Sequence, residues 1–481
     1  MHSHTFLWHD YETFGANPRR DRPAQFAAIR TDADLNEVGD PLMLYCQPAP
    51  DFLPDPQSCL ITGITPQICW ERGIPEYQFA AQIEAAFAQD NTVGVGYNTI
   101  RFDDEITRFM LWRNLMDPYA REWQNGCGRW DLLDVVRTAY ALRPEGLEWP
   151  TKPECGVSFK LGDLAAANGL LHESAHDALS DVRATIALAR KLKDAQPRLF
   201  EFCFGLHRKD RVMEELGLPS SLQHARPFWH VSGMFGVERG CLALMWPLAM
   251  HPKNKNEMLA WELAHDPTEL ASLNAADLRL RLFTKTADLP EGMTRLPLKS
   301  IHLNRSPMVM GNLRVVSEVM AQRWGVDIVT QLENAARARD LPDMSAIWPE
   351  VFARPAAPAL DVDEDLYGGF VNDRDRRRLN EFRALPPEQM GHKRQAFDDA
   401  RLGELVFRYR ARNFPDTLST AETAQWQAHR ADRLLRGLDG ARTAEQLLEE
   451  IDTLSEDADA RGEEILGALV DYTEAIVPSD D

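Results

Sequence analysis

The sequence predicts a multi-domain α/β protein: an α/β sandwich over residues 1–196, a small mostly-β region over 197–352 and an all-helical region over 356–475. Three observations lead there. At 481 residues the chain exceeds what one hydrophobic core serves, and about three domains are expected. The first region opens with strand-like runs and then alternates strand and helix patterns, the signature of a layered α/β unit. Near Pro197 the sequence turns richer in Pro, Gly and Met, and the proline-rich stretch ARPAAPA (353–359) then precedes helix-forming sequence.

Taken in order, Thr5–Trp8 reads as a short buried strand that runs into Trp8-His9-Asp10-Tyr11-Glu12-Thr13-Phe14. Ala24–Arg30 and Pro41–Gln47 read as two more strands, joined by a polar turn around Asp32–Gly39. Residues 76–89 have helical spacing, with Phe79, Ile83 and Phe87 on one stripe. Thr92–Val95 is a β-branched strand leading to Gly96-Tyr97-Asn98, and a helix follows from Phe102 with Ile106, Phe109 and Met110 inward. Asp131–Leu142, Leu161–Ala167 and Asp177–Lys193 read as helices, the last burying Leu179, Val182, Ile186 and Ala189. In the middle region the apolar stretches Val231–Val237, Cys241–Trp246, Met258–Leu263 and Leu298–Leu303 read as strands.

The composition, 44% hydrophobic and 26% charged, is that of a globular protein. The longest apolar run, Cys241–Met250, contains Pro247 and falls far short of a membrane span. Met1-His2-Ser3-His4 lacks the basic and apolar regions of a secretory signal. Seven scattered cysteines without a CxxC pair fit reduced thiols and a cytoplasmic location. The net charge of −21 weighs less against a nucleic-acid partner than it first suggests. Residues 441–481 carry 13 Asp/Glu against Arg442 and Arg461, a net of −11, so the other 440 residues carry −10. Basic patches can still form there, while the acidic end reads as a solvated helical face.

The chemistry-bearing candidates lie in the first region. On an extended strand Asp10 and Glu12 project together while Tyr11 turns away. Two carboxylates at the end of a core strand repel each other unless a hard divalent cation lies between them. Alone, Asp-x-Glu is also what an ordinary solvated strand end looks like. Asp103 sits where a strand hands over to a helix, a position that also suits a plain N-cap. His176 precedes the last helix of the unit and Asp181 lies about a turn inside it, off its buried stripe. The order Asp-x-Glu, Asp, then His-x4-Asp is specific. Four carboxylates can hold two divalent cations about 4 Å apart for an in-line phosphoryl displacement, and a histidine suits the general base.

At these residues the chain resembles the DEDD exonuclease superfamily, in the subclass with histidine, and more specifically bacterial exonuclease I. The matching stretches include HDYETFG (9–15), DRPAQFAAIRTD (21–32), GYNTIRFDDE (96–105), RWDLLDVVR (129–137), ALRPEG (141–146), AHDALSDV (175–182), HVSGMFG (230–236) and FRYRARNFP (407–415). The resemblance implies a ribonuclease H-like exonuclease domain, a small β-barrel domain and a helical C-terminal domain around a groove for single-stranded DNA. It implies 3′→5′ hydrolysis with release of 5′-mononucleotides, two Mg²⁺ ions (or Mn²⁺), and a role in DNA repair and recombination. Carried over by motif, Asp10, Glu12, Asp103 and Asp181 bind metal, Glu12 also meets substrate, and His176 is the base. Lys160 in SFKL stands where the family has an arginine that meets a substrate phosphate, keeping the charge without the bidentate fork.

For the strand itself, Arg108, Tyr119, Trp123 and Arg137 interleave cations with aromatic faces, as single-strand binding requires. Core packing is the other reading of those aromatics. His251, Lys253, Lys255, Lys299, His302 and Arg305 are basic positions around turns of the middle region. Arg408, Arg410 and Arg412 suit either DNA or interdomain ion pairs. The resemblance also implies a partner, the single-stranded DNA-binding protein with its acidic tail, for which Arg143 is the candidate contact; the chain is expected to be monomeric. The rival of a different class is a non-catalytic single-strand-binding or partner-docking module.

Overall fold

In the computed structural model the described residues are 4–153, 156–170, 177–219, 224–353, 360–392 and 396–478. His176 and most of the ARPAAPA stretch lie outside them. Contacts divide the chain into two compact units, Met1–Gly128 with His172–Arg183 and Pro358–Asp481, and Arg129–Leu171 with Ala184–Ala357.

The first unit is built on strand β1 (Thr5–Thr13), with β2 (Pro23–Thr31) antiparallel on one side and β4 (Thr92–Gly96) parallel on the other, and β3 (Leu42–Tyr45) outside β2. Both faces of β1 are buried, which is why its sequence is apolar almost without interruption before Asp10. Leu7 and Tyr11 pack with Phe26 against Phe79, Ile83 and Phe87 and against Ile106, Met110 and Leu111. These come from two of the unit's helices, numbered here α1 (Pro56–Thr62), α2 (Pro66–Arg72), α3 (Glu76–Phe87) and α4 (Asp103–Arg113). Periodicity did not disclose α1 and α2, because each has seven residues. Their capping does: Asp55 and Thr65 accept from Ser58 N–H and Ile68 N–H, and a proline follows each at the first helical position.

The helices Ala444–Ser455 and Ala460–Ile476 turn Leu447, Ile451, Leu466, Leu469 and Tyr472 onto Phe14, Phe52, Cys59 and Cys69. The acidic end of the chain is therefore amphipathic, with its charges outward and its apolar stripe in the core. Beside this seam a buried ion cluster ties Asp51 to Arg412, Arg412 to Asp363, and Arg408 to Asp361.

In the second unit the helix Leu132–Leu142 is capped by Asp131, which accepts from Leu133 N–H. Five antiparallel strands form a sheet in the order Leu298–His302, Glu257–Glu262, Leu242–Met250, Phe228–Val231, Met308–Met310. Pro247 is accommodated at a register shift opposite Leu259 and Ala260, where a missing N–H does least harm. Two expectations change. The strand expected over Val231–Val237 ends at Val231, because Ser232–Gly236 turns back and Phe235 N–H meets Ser232 C=O. The region also carries helices over Pro197–Gly205, Lys209–Leu216, Ala275–Phe283, Glu318–Arg323 and Ile328–Arg339, so its composition is mixed.

Candidate metal centre

The pairing of β1 explains the site. Its parallel ladder with β4 runs from Thr5–Thr92 to Trp8–Val95 and stops, while its antiparallel ladder with β2 continues through Asp10–Ala27 and Glu12–Gln25. Beyond Trp8 one edge of β1 is thus open. β4 turns away at Gly96, where a Cβ would lie 2.6 Å from His9 C=O, and at Asn98, whose φ of 68° is left-handed. That turn delivers Asp103 at the start of α4 against the open edge, where its Oδ1 accepts from Tyr11 N–H at 3.1 Å. The N-cap position of α4 is Phe102, which gives no side-chain cap, and Asp103 is the first helical residue, with its carboxylate on Tyr11 N–H across the sheet.

Asp10 and Glu12 share one face of β1, and Tyr11 points to the other, into the core. Asp181 comes from the first turn of helix Ala178–Ala195, whose start is tied to β2 by Ala178 N–H donating to Gln25 Oε1 at 3.4 Å. Carboxylate oxygens of Asp10, Glu12 and Asp181 lie within 4.8 Å of one another. Burial, then the charges of Asp181, Asp103 and Asp177, push the Glu12 carboxyl up to about 8. Burial, then Asp103, Glu12 and Asp181, raise Asp10 well above the usual carboxylate range. A half-buried cluster of four carboxylates with this mutual repulsion is an all-oxygen, anionic donor set, and it fits a hard divalent cation.

Behind the site lies a polar layer that sequence reasoning missed. Tyr11 OH and Thr107 Oγ1 are 3.0 Å apart, and Thr107 Oγ1 also donates to Asp103 C=O at 2.8 Å. Asp104 pairs with Arg121 at 2.6 Å, both buried. His9 lies beside them, its pKa lowered to about 4 by burial. Only the doubled Asp103-Asp104 hinted at this layer; the partner on the far loop has no sequence signature.

The expected strand-binding residues divide. Arg108 is 4% exposed and grips Glu122 through two nitrogens at 2.7 and 2.8 Å, with Glu105 at 2.8 Å, so the structure shows it in internal ion pairs. Its charge is spent inside the protein. Tyr119 is half-buried, with the Arg108 guanidinium 5.3 Å from its ring. Trp123 is 67% exposed and offers a free aromatic face. Arg137 pairs with Asp134 at 2.6 Å and lies 5.8 Å from the Phe159 ring. Lys160, just ahead of helix Leu161–Ala167, is exposed. Arg408, Arg410 and Arg412 are all in internal ion pairs, with Asp361, Glu422 and Asp51 respectively. In the second unit Lys299 donates to Ser232 Oγ at 2.6 Å, whereas Lys253 and Lys255 are exposed on a turn. Arg143 borders a cavity of about 330 Å³ with Arg198, Leu199, Phe202, Met310 and Val315.

Comparison with known proteins covers almost the whole chain. Three family models match: "Exonuclease" over residues 7–189, "Exonuclease I SH3-like domain" over 207–354 and "Exonuclease I C-terminal domain" over 360–476. Exodeoxyribonuclease I of Haemophilus influenzae is 43% identical over 89% of this chain and 90% of its own. That of Escherichia coli K12 is 44% identical over 89% of each. Among solved structures, exonuclease I from Methylocaldum szegediense superposes with a TM-score of 0.93 at 44% identity, covering 99% of this chain and 100% of that one. The zinc-bound form of an E. coli ExoI–ssDNA complex gives 0.91 at 42%, over 99% and 100%. An ExoI/SSB-Ct complex gives 0.89 at 41%, over 99% and 100%. The expected architecture, a ribonuclease H-like exonuclease domain, an SH3-like sheet and a helical C-terminal part, is the one these proteins share with this chain.

Proposed function

Because the chain belongs to the exodeoxyribonuclease I family, we propose that it hydrolyses single-stranded DNA from the 3′ end and releases 5′-mononucleotides, in the repair and recombination of DNA in the cytoplasm. One observation carries the reading: Asp10, Glu12 and Asp181 converge within 4.8 Å in a half-buried site beside Asp103. These four carboxylates would hold two divalent ions, Mg²⁺ with Mn²⁺ an alternative. When bound, such a pair supplies Lewis-acid stabilisation to the attacking and leaving oxygens of the phosphodiester.

The chain's own groups do the rest. Tyr11 N–H fixes Asp103, and the β1 pleat keeps Asp10 and Glu12 side by side. His176, five residues before Asp181, takes the proton of the attacking water at an imidazole nitrogen. Glu12 also touches the terminal nucleotide, and Lys160 meets its phosphate as a point charge. Trp123 stacks a base, with Tyr119 and Arg137 as further strand contacts. Residues 1–196 would form the nuclease domain, with 197–352 and 356–475 as the other two. The Arg143 cavity, cationic at Arg143 and Arg198 and apolar at Leu199, Phe202 and Met310, suits the acidic tail of the single-stranded DNA-binding protein.

A 5′-labelled oligonucleotide tests this directly. With Mg²⁺ it should shorten stepwise from its 3′ end when single-stranded, remain intact as duplex or RNA, and remain intact with chelator. Equal degradation of RNA, or cleavage that persists in chelator, would refute the assignment.

A further inference from the structure

Asp103 depends on where the first turn of α4 sits, and that turn has a second anchor. The neighbouring Asp104 is 1% exposed and accepts from Arg121 Nη2 at 2.6 Å; Arg121 itself is 3% exposed. The Arg121 guanidinium lies 4.5 Å from the centroid of Phe87. That ring packs with Tyr11 in the core and meets His9 edge-on at 4.9 Å. Strand β4 leaves the room: a Cβ on Gly94 would come within 2.8 Å of Phe87 and 3.6 Å of Arg121 Nη1.

Stability does not explain this pair. A buried ion pair is often replaceable by apolar side chains at no cost, and here Arg121 Nε and Nη1 have no hydrogen-bond partner. What the pair does supply is direction. It pulls the first turn of α4 toward a rigid aromatic floor, from one residue beyond Asp103.

We propose that Arg121 is a positioning residue: through its buried pair with Asp104 it fixes the first turn of α4, hence the Asp103 carboxylate, and so sets the affinity of the centre for divalent cations. The proposal rests on the reading of Asp103 as a metal ligand. Arg121 touches neither substrate nor metal; it acts as outer-shell partners of metal ligands do, whose loss typically weakens metal binding by about 10–100-fold.

The test is calorimetric titration of Mn²⁺ into the full-length, DNA-free protein, alongside kinetics on a single-stranded oligonucleotide. Arg121→Met should weaken Mn²⁺ binding by about 10-fold. It should raise the half-saturating Mn²⁺ for hydrolysis by the same factor and leave KM for DNA unchanged, while Arg121→Lys recovers most of the affinity. The double variant Arg121→Met/Asp104→Asn leaves no stranded charge and stands in where the single variant does not fold; its Mn²⁺ binding should remain weakened. Wild-type affinity in Arg121→Met, or in the double variant, overturns the proposal whatever happens to the melting temperature. Asp103→Asn separates the two readings. If it binds Mn²⁺ like wild type, the ligand assignment fails; if it binds weakly while Arg121→Met is unchanged, only the positioning role fails.

Discussion

The ion cluster that holds the C-terminal helices offers a sharp quantitative prediction. Arg412 donates to Asp51 from Nε at 3.1 Å and from Nη2 at 2.7 Å, and to Asp363 from Nη1 at 3.0 Å; all three side chains are almost fully buried. Removing one partner of a buried pair costs about 3–5 kcal/mol, because the other charge is stranded. The structure orders the variants within that range. Asp51→Asn leaves Arg412 its contact with Asp363, and should cost about 3 kcal/mol. Arg412→Met removes the nearest partner of both carboxylates, leaving Asp51 with His429 at 3.7 Å and Asp363 with Arg22 and Arg408 at 3.5 Å, and should cost about 5 kcal/mol. The double variant should be more stable than the sum of the two losses by at least about 1 kcal/mol, because the residues touch.

The pH dependence has a definite sign. Burial opposes the charge of Asp51, but Arg412, His429 and Arg22 outweigh it and hold the carboxyl well below its usual 3.8. A depressed folded value means stability that is fully present above pH 3.8 and is lost only as pH falls through the folded value. Above about pH 8, beyond the range where a neighbouring histidine such as His429 ordinarily changes charge, the cost of Asp51→Asn should therefore be constant. Urea titration followed by circular dichroism measures all of this. Costs within about 0.5 kcal/mol of zero, as for surface substitutions, or Asp51→Asn costing more than Arg412→Met, would refute the reasoning.

Four further outcomes are expected. Asp10→Ala and Asp181→Ala should abolish hydrolysis while oligonucleotide binding stays measurable by anisotropy; full activity in either would remove it from the metal centre. His176→Ala should lower kcat by roughly 10²–10⁴, and an unchanged rate would remove it as base. Trp123→Ala should weaken binding of a single strand by about 1–3 kcal/mol, as lost base stacking does. Arg108→Met should instead lower stability with little effect on DNA affinity; the reverse pattern would reinstate Arg108 as a strand contact.

Much of this was legible in the chain, and the reasons are physical. Periodicities of 2 and 3.6 are local, so β1, β2, α3 and α4 could be read within a few residues, and the face shared by Asp10 and Glu12 follows from the pleat alone. The spacing of the four carboxylates, with His176, pointed to phosphodiester hydrolysis because few folds need that set in that order. Short helices such as α1 and α2 offer too few turns for a periodic signal and announce themselves only by their caps. The apolar residues Met234 and Phe235 give Ser232–Gly236 the look of a strand, but Gly233 and Gly236 beside them suit a turn.

What the sequence could not decide is which charges are free. Arg108 read as a cation available to DNA, and Arg410 and Arg412 as suiting either DNA or ion pairs; in the fold Arg108 holds Glu122 and Glu105, Arg410 holds Glu422, and Arg412 holds Asp51 and Asp363. A side chain's charge is written in the residue, but its availability depends on what the fold packs against it, as far away in the chain as Asp51 is from Arg412. The same holds behind the metal centre. The sequence by itself determined that Asp10, Glu12, Asp103 and Asp181 belong together. Only the tertiary structure decided that Asp103 reaches them through Tyr11 N–H, on an edge left open where the β4 ladder ends, with Asp104 and Arg121 buried behind it.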